Sequence, residues 1–257
     1  MNKPVRISLF IIVKNEEHNI AKCIMSARNL VNEIIVVDSF SKDRTVERCK
    51  ELGALVFQRK FDGFTAQKNF ALSKVSNEWA LSLDADETLS PQGISEIKKA
   101  ISSDKYDGYT LVRVNNFLGK RMHHSGIKAE HILRLVRTKK AKFCGGLVHE
   151  KLTVDGTVGH LKEPFVHHPY ESLEQYFEKF NHYTSLAART LYQNKKHTSV
   201  CLLVLRMPFE FLKRYVLQLG FLDGIRGLIW SANSTFYVFV KYMKLWYLEQ
   251  KNGRPHI

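Results

Sequence analysis

Asp84 and Asp86 stand two residues apart at the end of an apolar run, Leu81-Ser82-Leu83-Asp84-Ala85-Asp86-Glu87. In an extended segment, side chains at i and i+2 point the same way, so both carboxylates can approach one cation or one sugar diphosphate. A hard ion such as Mg2+ or Mn2+ takes oxygen ligands, commonly one or two carboxylates plus substrate phosphates. A D-x-D in a surface loop carries little information, whereas behind a buried strand it carries much more. Two other strand ends are equally polar: Lys14-Asn15-Glu16 after ISLFIIV, and Asp38-Ser39 at the end of EIIVVD. Turns need polar residues, which accounts for any one of these. Three in succession suit a single crevice, because open parallel sheets bind ligands at the carboxyl ends of their strands. The chain has no G-x-G-x-x-G, no P-loop and no G-x-S-x-G, and no His or Cys lies near the acidic pair to suggest zinc.

The elements that must position these residues alternate in type. Ile7–Val13 and Glu33–Asp38 are continuous apolar runs, as in strands buried on both faces, and residues 54–57 and 79–83 read as two more. Helical patterns fall between them, around Ile20-Ile24-Ala27, in TVERCKE with Gly53 as its stop, in TAQKNFALS and after Pro91. Strands separated by helices predict a doubly wound α/β domain with a mostly parallel sheet. The texture changes near residue 105, where two further strands stand among His- and Lys-rich loops, and again near 173, where it turns helical and aromatic. These changes predict segments 1–104, 105–172 and 173–257.

Hydrophobic residues make up 44% of the 257, enough for a large core. Four separated cysteines without a C-x-x-C suit a reducing compartment, and the N-terminal segment has no pattern of a cleaved signal peptide. The net charge of +14 implies a polyanionic partner. Its location is uneven: residues 195–257 carry ten Lys and Arg against three acids, and residues 120–142 carry eight against Glu130 alone. The longest uncharged apolar stretch, residues 227–240, is too short to span a bilayer of about 30 Å.

IIVKNEEHNI, EIIVVDSFSKDRTVE, GFTAQKNFAL and EWALSLDADE, in this order, resemble the nucleotide-sugar domain of family 2 glycosyltransferases, which have the GT-A fold. HHSGIKAEHILRLVR, LVHEKL, HHPY and LGFLDGIRGLIWSANSTFYVFVKYMKL extend the resemblance to the lipopolysaccharide inner-core β-1,4-glucosyltransferases, over residues 6–248. It implies a GT-A domain over residues 1–172, whose first 104 residues bind the donor and whose remainder faces the acceptor, followed by a helical, membrane-associating region. The implied reaction is inverting, metal-dependent transfer of a hexose from a UDP-sugar to a core heptose, at the cytoplasmic face of the inner membrane. By position, Asn15 belongs to the donor-binding segment, Glu16 and Asp38 with Ser39 would hold uracil and ribose, and Lys68 would meet the nucleotide or its diphosphate. Asp84 would approach ribose or sugar, and Asp86 would bind Mg2+ or Mn2+.

An inverting transfer also needs a general base on the acceptor side. The related H-S-G-W-x-P-D segment reads His124-Ser125-Gly126-Ile127-Lys128-Ala129-Glu130 here, which puts Glu130 first and Glu150 of Val148-His149-Glu150 second. Either is otherwise a solvated or ion-paired surface glutamate. Seven of eleven histidines lie between His123 and His168, and hydrogen bonding around a sugar phosphate with Arg134 and Arg137 suits them better than an irregularly spaced metal site. Phe209, Leu212, Val216 and Leu219 recur at helical spacing, the pattern of a core stripe. The basic-aromatic run YVFVKYMKLWYLEQ suits a helix in a membrane interface. Two alternatives remain at this level: a haloacid-dehalogenase-type phosphatase using Asp84-Ala85-Asp86-Glu87-Thr88, and a non-enzymatic basic module. The second leaves the strand-end carboxylates idle, and no recognised nucleic-acid motif is present, so no nucleic-acid partner is expected.

Overall fold

The computed structural model describes residues 5–145, 150–170, 172–197 and 199–251. Its strands are β1 (Ile7–Val13), β2 (Glu33–Asp38), β3 (Leu55–Gln58), β4 (Trp79–Ser82), β5 (Glu87–Leu89), β6 (Gly108–Phe117), β7 (Lys120–Arg121), β8 (Glu130–Arg137), β9 (Ala141–Gly145), β10 (Glu150–Val154) and β11 (Val158–His167). Its helices are α1 (Ile20–Ala27), α2 (Thr45–Glu51), α3 (Phe64–Ser73), α4 (Pro91–Ser102), α5 (Leu173–Gln193), α6 (Val200–Leu212) and α7 (Ile225–Lys251). A π turn over Lys213–Leu217 and a 3-10 turn over Gly220–Asp223 lie between the last two helices. Two compact units emerge: Met1–Val114 with Ala129–His168, and Asn115–Lys128 with Pro169–Ile257. Residues 115–128 therefore belong with the helical unit, whereas the sequence groups them with the first.

In the first unit the strand order is β3-β2-β1-β4-β8-β6-β11-β5. The first four strands pair in parallel, as the alternation of strands and helices predicts. Beyond β4 the pairings of β8 with β4 and with β6 are antiparallel. No helix lies between β6 and β8, and a parallel return needs a crossover of a dozen or more residues, usually a helix. Both faces of β1 are covered, which explains its unbroken apolar run. Ile7, Leu9, Ile11 and Val13 pack with α1, Cys49 of α2, and Ile97 and Ile101 of α4. Phe10 meets Ile35, Val37, Ala71 and Leu72 of α3, and the β9–β10 hairpin through Phe143 and Leu152. Gly53, at φ +78°, ends α2 as anticipated. Ser90 caps α4, its hydroxyl accepting from the Gly93 amide at 3.0 Å ahead of Pro91.

In the second unit α5 packs along α7. Phe117, Met122, Tyr176, Phe180 and Val240 form one apolar cluster, and Ala188, Tyr242 and Leu245 another. The basic-aromatic run of α7 is thus partly an inner seam, and only Met243, Trp246 and Tyr247 among its large hydrophobics are exposed after Val240. No helix among the described residues is long and apolar enough to cross a membrane. The glycines of LGFLDGIRG allow a close backbone approach. A Cβ on Gly227 would lie 1.8 Å from the Gly220 carbonyl oxygen. Gly227→Ala is expected to destabilise this unit by about 1–3 kcal/mol, because the contact is backbone against backbone and cannot yield by a rotamer change. A urea titration followed by circular dichroism measures it.

Candidate active site

Parallel pairing places three strand ends on one edge of the sheet, with Val13 beside Asp38 and Ser82 beside Phe10. After β1, Asn15 adopts φ +56°. Its amide donates to Ser41 Oγ at 2.8 Å, and its side-chain oxygen accepts from the Lys42 amide at 2.9 Å. Glu16 accepts from Asn19 Nδ2 at 2.9 Å and donates its amide to Thr45 Oγ1 at 2.8 Å. Asp38 is fully buried and accepts from the Ser41 amide and from Gln58. Ser39 Oγ accepts from Gln67 Nε2 at 3.1 Å, and Arg59 holds the other end of that amide. The Asn15, Glu16, Asp38 and Ser39 segments therefore form one hydrogen-bonded rim.

The D-x-D is not extended. The chain reverses over Asp84-Ala85-Asp86-Glu87, with the Glu87 amide donating to the Asp84 carbonyl at 3.0 Å, and then enters β5. The two aspartates consequently meet different partners, which corrects the idea that both carboxylates address one ion. Asp84 is half-buried between two cations: Lys68 Nζ lies 3.1 Å from Oδ1 and Arg134 Nη2 3.0 Å from Oδ2. Lys68 also reaches Glu150 Oε1 at 3.0 Å. Arg134 also reaches Glu87 Oε1 at 2.5 Å, and its guanidinium lies 5.5 Å from the centre of the Phe165 ring. Asp86 Oδ2 is 3.2 Å from His167 Nε2, and its carbonyl accepts from the His168 amide at 2.8 Å. Pairing of β5 with β11, Glu87 opposite His167, makes this contact.

Burial alone would raise the Asp84 carboxyl, but Arg134 and Lys68 hold it well below the usual carboxylate range. For Glu87, burial prevails: against the pull of Arg134, and with Asp84 adding repulsion, the carboxyl is pushed up to about 7. Arg134→Met is expected to cost about 3–5 kcal/mol of stability, because it removes the only cation that contacts the buried Glu87 among the described residues and leaves Asp84 with Lys68 alone. Chemical denaturation of the variant beside the parent measures this.

Lys68, Asp84, Glu150 and Asp86 thus come together with Arg134, Glu87 and His167. Glu130 does not join them. It opens β8, its side chain is 55% exposed, and it pairs with Arg113 at 2.5 Å. It stands four residues from Arg134, roughly 13 Å along the strand at about 3.3 Å per residue. Arg137 is also elsewhere: it pairs with Trp79 at the opening of β4 and is engaged by Glu78 and Asp104, which corrects its expected place at a sugar phosphate. The histidines are dispersed. His124 meets Asp223 and His160 meets Thr110, while His149 lies outside the described residues. Sequence reasoning gave Glu87 no role of its own and placed His167 only among the clustered histidines. For Glu87 a signal existed: it directly follows the acidic pair at the head of the next strand.

A divalent cation fits in a limited sense. Among the described residues no three His, Cys, Asp or Glu side chains converge as a ready ligand set. Asp86 and His167 offer two donors, and substrate phosphates would supply the others. The charge balance agrees, because Lys68 and Arg134 between them contact three carboxylates, those of Asp84, Glu87 and Glu150, and Asp86 stands beside them on His167. The cluster by itself offers no excess positive charge to a diphosphate.

Residues 8–152 match the family model described as glycosyl transferase family 2, more than half of the chain. The chain belongs to glycosyltransferase family 2. Its GT-A fold is the mixed sheet described above, with the helical part at the C-terminus. Family membership displaces the phosphatase and the non-enzymatic alternatives. An uncharacterized glycosyltransferase of Rickettsia typhi is 32% identical over 96% of this chain and 89% of its own length. The lipopolysaccharide core biosynthesis glycosyltransferase LpsC of Rhizobium meliloti is 27% identical over 98% and 96%. The S. aureus TarS 1–349 structure in complex with UDP-GlcNAc aligns at a TM-score of 0.49 and 14% identity, covering 98% of this chain and 93% of that one. This chain spans 40% of a longer TarS chain.

Proposed function

We propose that the protein transfers a hexose, glucose in the first instance, from a UDP-sugar to a heptose of a lipopolysaccharide or lipooligosaccharide core, with inversion at the anomeric carbon. The observation that carries this is the Lys68–Asp84–Arg134–Glu87 network at the carboxyl ends of the strands, with Asp86 and His167 beside it. The likeness to LpsC over nearly the whole chain supports a core saccharide as acceptor. Glu16, Asp38 and Ser39 bind uracil and ribose, and the segment around Asn15 shapes that rim. Lys68 lies at the nucleotide or its diphosphate, Arg134 holds Asp84 and Glu87 in place, and Asp84 faces ribose or sugar.

In the transfer, the acceptor oxygen bonds to the anomeric carbon as the bond from that carbon to the diphosphate oxygen breaks, and its electron pair leaves with UDP. The acceptor proton passes to a carboxylate. Glu150 is the better placed base, because its ion pair with Lys68 joins it to Asp84 at the carboxyl ends of the strands. Glu130 lacks that link, so its place ahead of Glu150 in the sequence reading is reversed. Asp86 and His167 would hold Mg2+ or Mn2+, whose charge neutralises the developing negative charge on the leaving diphosphate. A lipid-anchored acceptor implies peripheral attachment to the cytoplasmic face of the inner membrane.

A donor screen with and without Mn2+ tests this. UDP release from a UDP-hexose, stimulated by core-type acceptor and lost with chelator, is the expected result. Release from no UDP-sugar at any metal concentration sinks the proposal.

A further inference from the structure

Phe40 follows Asp38 and Ser39 at the end of β2, and its backbone lies at φ +58°. A bulky side chain in the left-handed region is an outlier, because its Cβ crowds a neighbouring carbonyl oxygen. Hydrogen bonds on both sides hold the loop there. The Ser39 amide donates to the Val13 carbonyl at 2.9 Å and the Ser41 amide to Asp38 at 3.1 Å. The Asn15 amide donates to Ser41 Oγ at 2.8 Å, and the Lys42 amide to the Asn15 side chain at 2.9 Å. None of these bonds uses the Phe40 side chain, so glycine at this position would keep them all without the strain. Packing does not explain the ring either. Phe40 is 53% exposed and stands outside both apolar clusters of its unit. Strain of this kind gathers at functional sites.

We infer that the Phe40 ring is the stacking platform for the nucleobase of the sugar donor. This deepens the proposed function and rests on its UDP-sugar. It gives to an aromatic face the part of base binding that the carboxylates and hydroxyl of Glu16, Asp38 and Ser39 do not supply.

Placement and chemistry select a base. β2 and β3 run parallel with Asp38 opposite Gln58, and the Arg59 amide donates to the Asp38 carbonyl at 3.0 Å, so the two chains leave the sheet side by side. The second chain carries Phe61 and Phe64, 42% and 40% exposed, with ring centres 5.0 Å apart. Its segment is tied to Ser39: Arg59 pairs with Asp62 and donates to Gln67 Oε1 at 2.6 Å, and Gln67 Nε2 donates to Ser39 Oγ at 3.1 Å. Exposed rings therefore border the polar rim at the edge where a parallel sheet binds its ligand. A nucleobase uses both surfaces, polar groups at its edge and a ring against its face. In the proposed donor pose the diphosphate lies toward Lys68, which leaves the base for the rim of Asp38 and Ser39.

Calorimetric titration of UDP into the full chain, with Mn2+ present, tests the inference. Phe40→Gly and Phe40→Asn introduce residues that tolerate positive φ, and each should weaken UDP binding about ten- to a hundredfold, the range of one base–aromatic stack. Their urea midpoints should match or exceed the parent's, because the strain goes and little packing goes with it. Phe40→Trp should keep the affinity, and UDP should quench the fluorescence that this variant adds to the parent's. The base is remote from the bond that breaks, so the stack holds ground and transition states alike. In the Gly and Asn variants KM for the donor should therefore rise while kcat changes little.

With a parent that binds UDP, three results overturn the inference and leave the donor reading standing. One is parent-like UDP affinity in both Phe40→Gly and Phe40→Asn. Another is the absence of quenching when UDP binds Phe40→Trp. The third is a marked loss of stability in both ring-less variants, which would make the ring a packing element of the loop. A parent that binds no nucleoside diphosphate overturns the donor reading itself, and this inference with it.

Discussion

Asp86→Ala is expected to reduce sugar transfer by about 10³-fold or more while the protein stays folded. The carboxylate is partly open and touches His167, and it supports no apolar packing. The backbone bond from the His168 amide to the carbonyl of residue 86 survives the substitution, so the turn and the β5–β11 pairing persist. What disappears is one of two donors for a divalent ion, at a cluster whose two basic groups are outnumbered by carboxylates. A bound metal ion supplies several kcal/mol of charge stabilisation in a transition state, and each 1.36 kcal/mol is tenfold in rate. The measurements are steady-state UDP release across a Mn2+ titration and a thermal melt. His167→Gln should shift the Mn2+ dependence in the same direction with a smaller loss. An Asp86→Ala enzyme that keeps most of its activity would falsify the metal role.

Glu150→Gln should lower transfer by about 10²–10⁴-fold while donor binding survives, the usual loss on removing a general base. Glutamine keeps the size and can still accept from Lys68, so the β9–β10 hairpin and the position of Lys68 are preserved. Glu130→Gln, at an exposed strand end facing Arg113, should lose no more than a few-fold. Both variants are measured on one acceptor, with UDP binding followed by calorimetry. A dead Glu130→Gln beside an active Glu150→Gln would reverse the assignment. Loss of UDP affinity in Glu150→Gln would make that residue an anchor for Lys68 and no base.

Much of the donor half was legible in the sequence because its signals are local. Ile7–Val13 and Glu33–Asp38 are strands at the bounds read from their apolar runs, and Gly53 stops α2 through its positive φ. Polar residues ending such strands fall on one edge of a parallel sheet by geometry alone, which is why Asn15, Glu16, Asp38 and Asp84 could be named before any coordinate. The family resemblance rested on the same stretches.

What the residues do to one another depended on long-range pairing. β8 runs antiparallel beside β4 with Leu135 opposite Leu81, and that register carries Arg134 to Asp84 while taking Arg137 to the other end of the strand. No local pattern encodes a partner fifty residues away. The turn at Ala85-Asp86 sends the two aspartates to different neighbours, and the β5–β11 pairing brings His167 to the second. The stripe on α6 makes the same point from the opposite side. Periodicity read Phe209, Leu212, Val216 and Leu219 as a core stripe, and only the tertiary structure decided that these residues are exposed, because what covers a face depends on the elements packed against it.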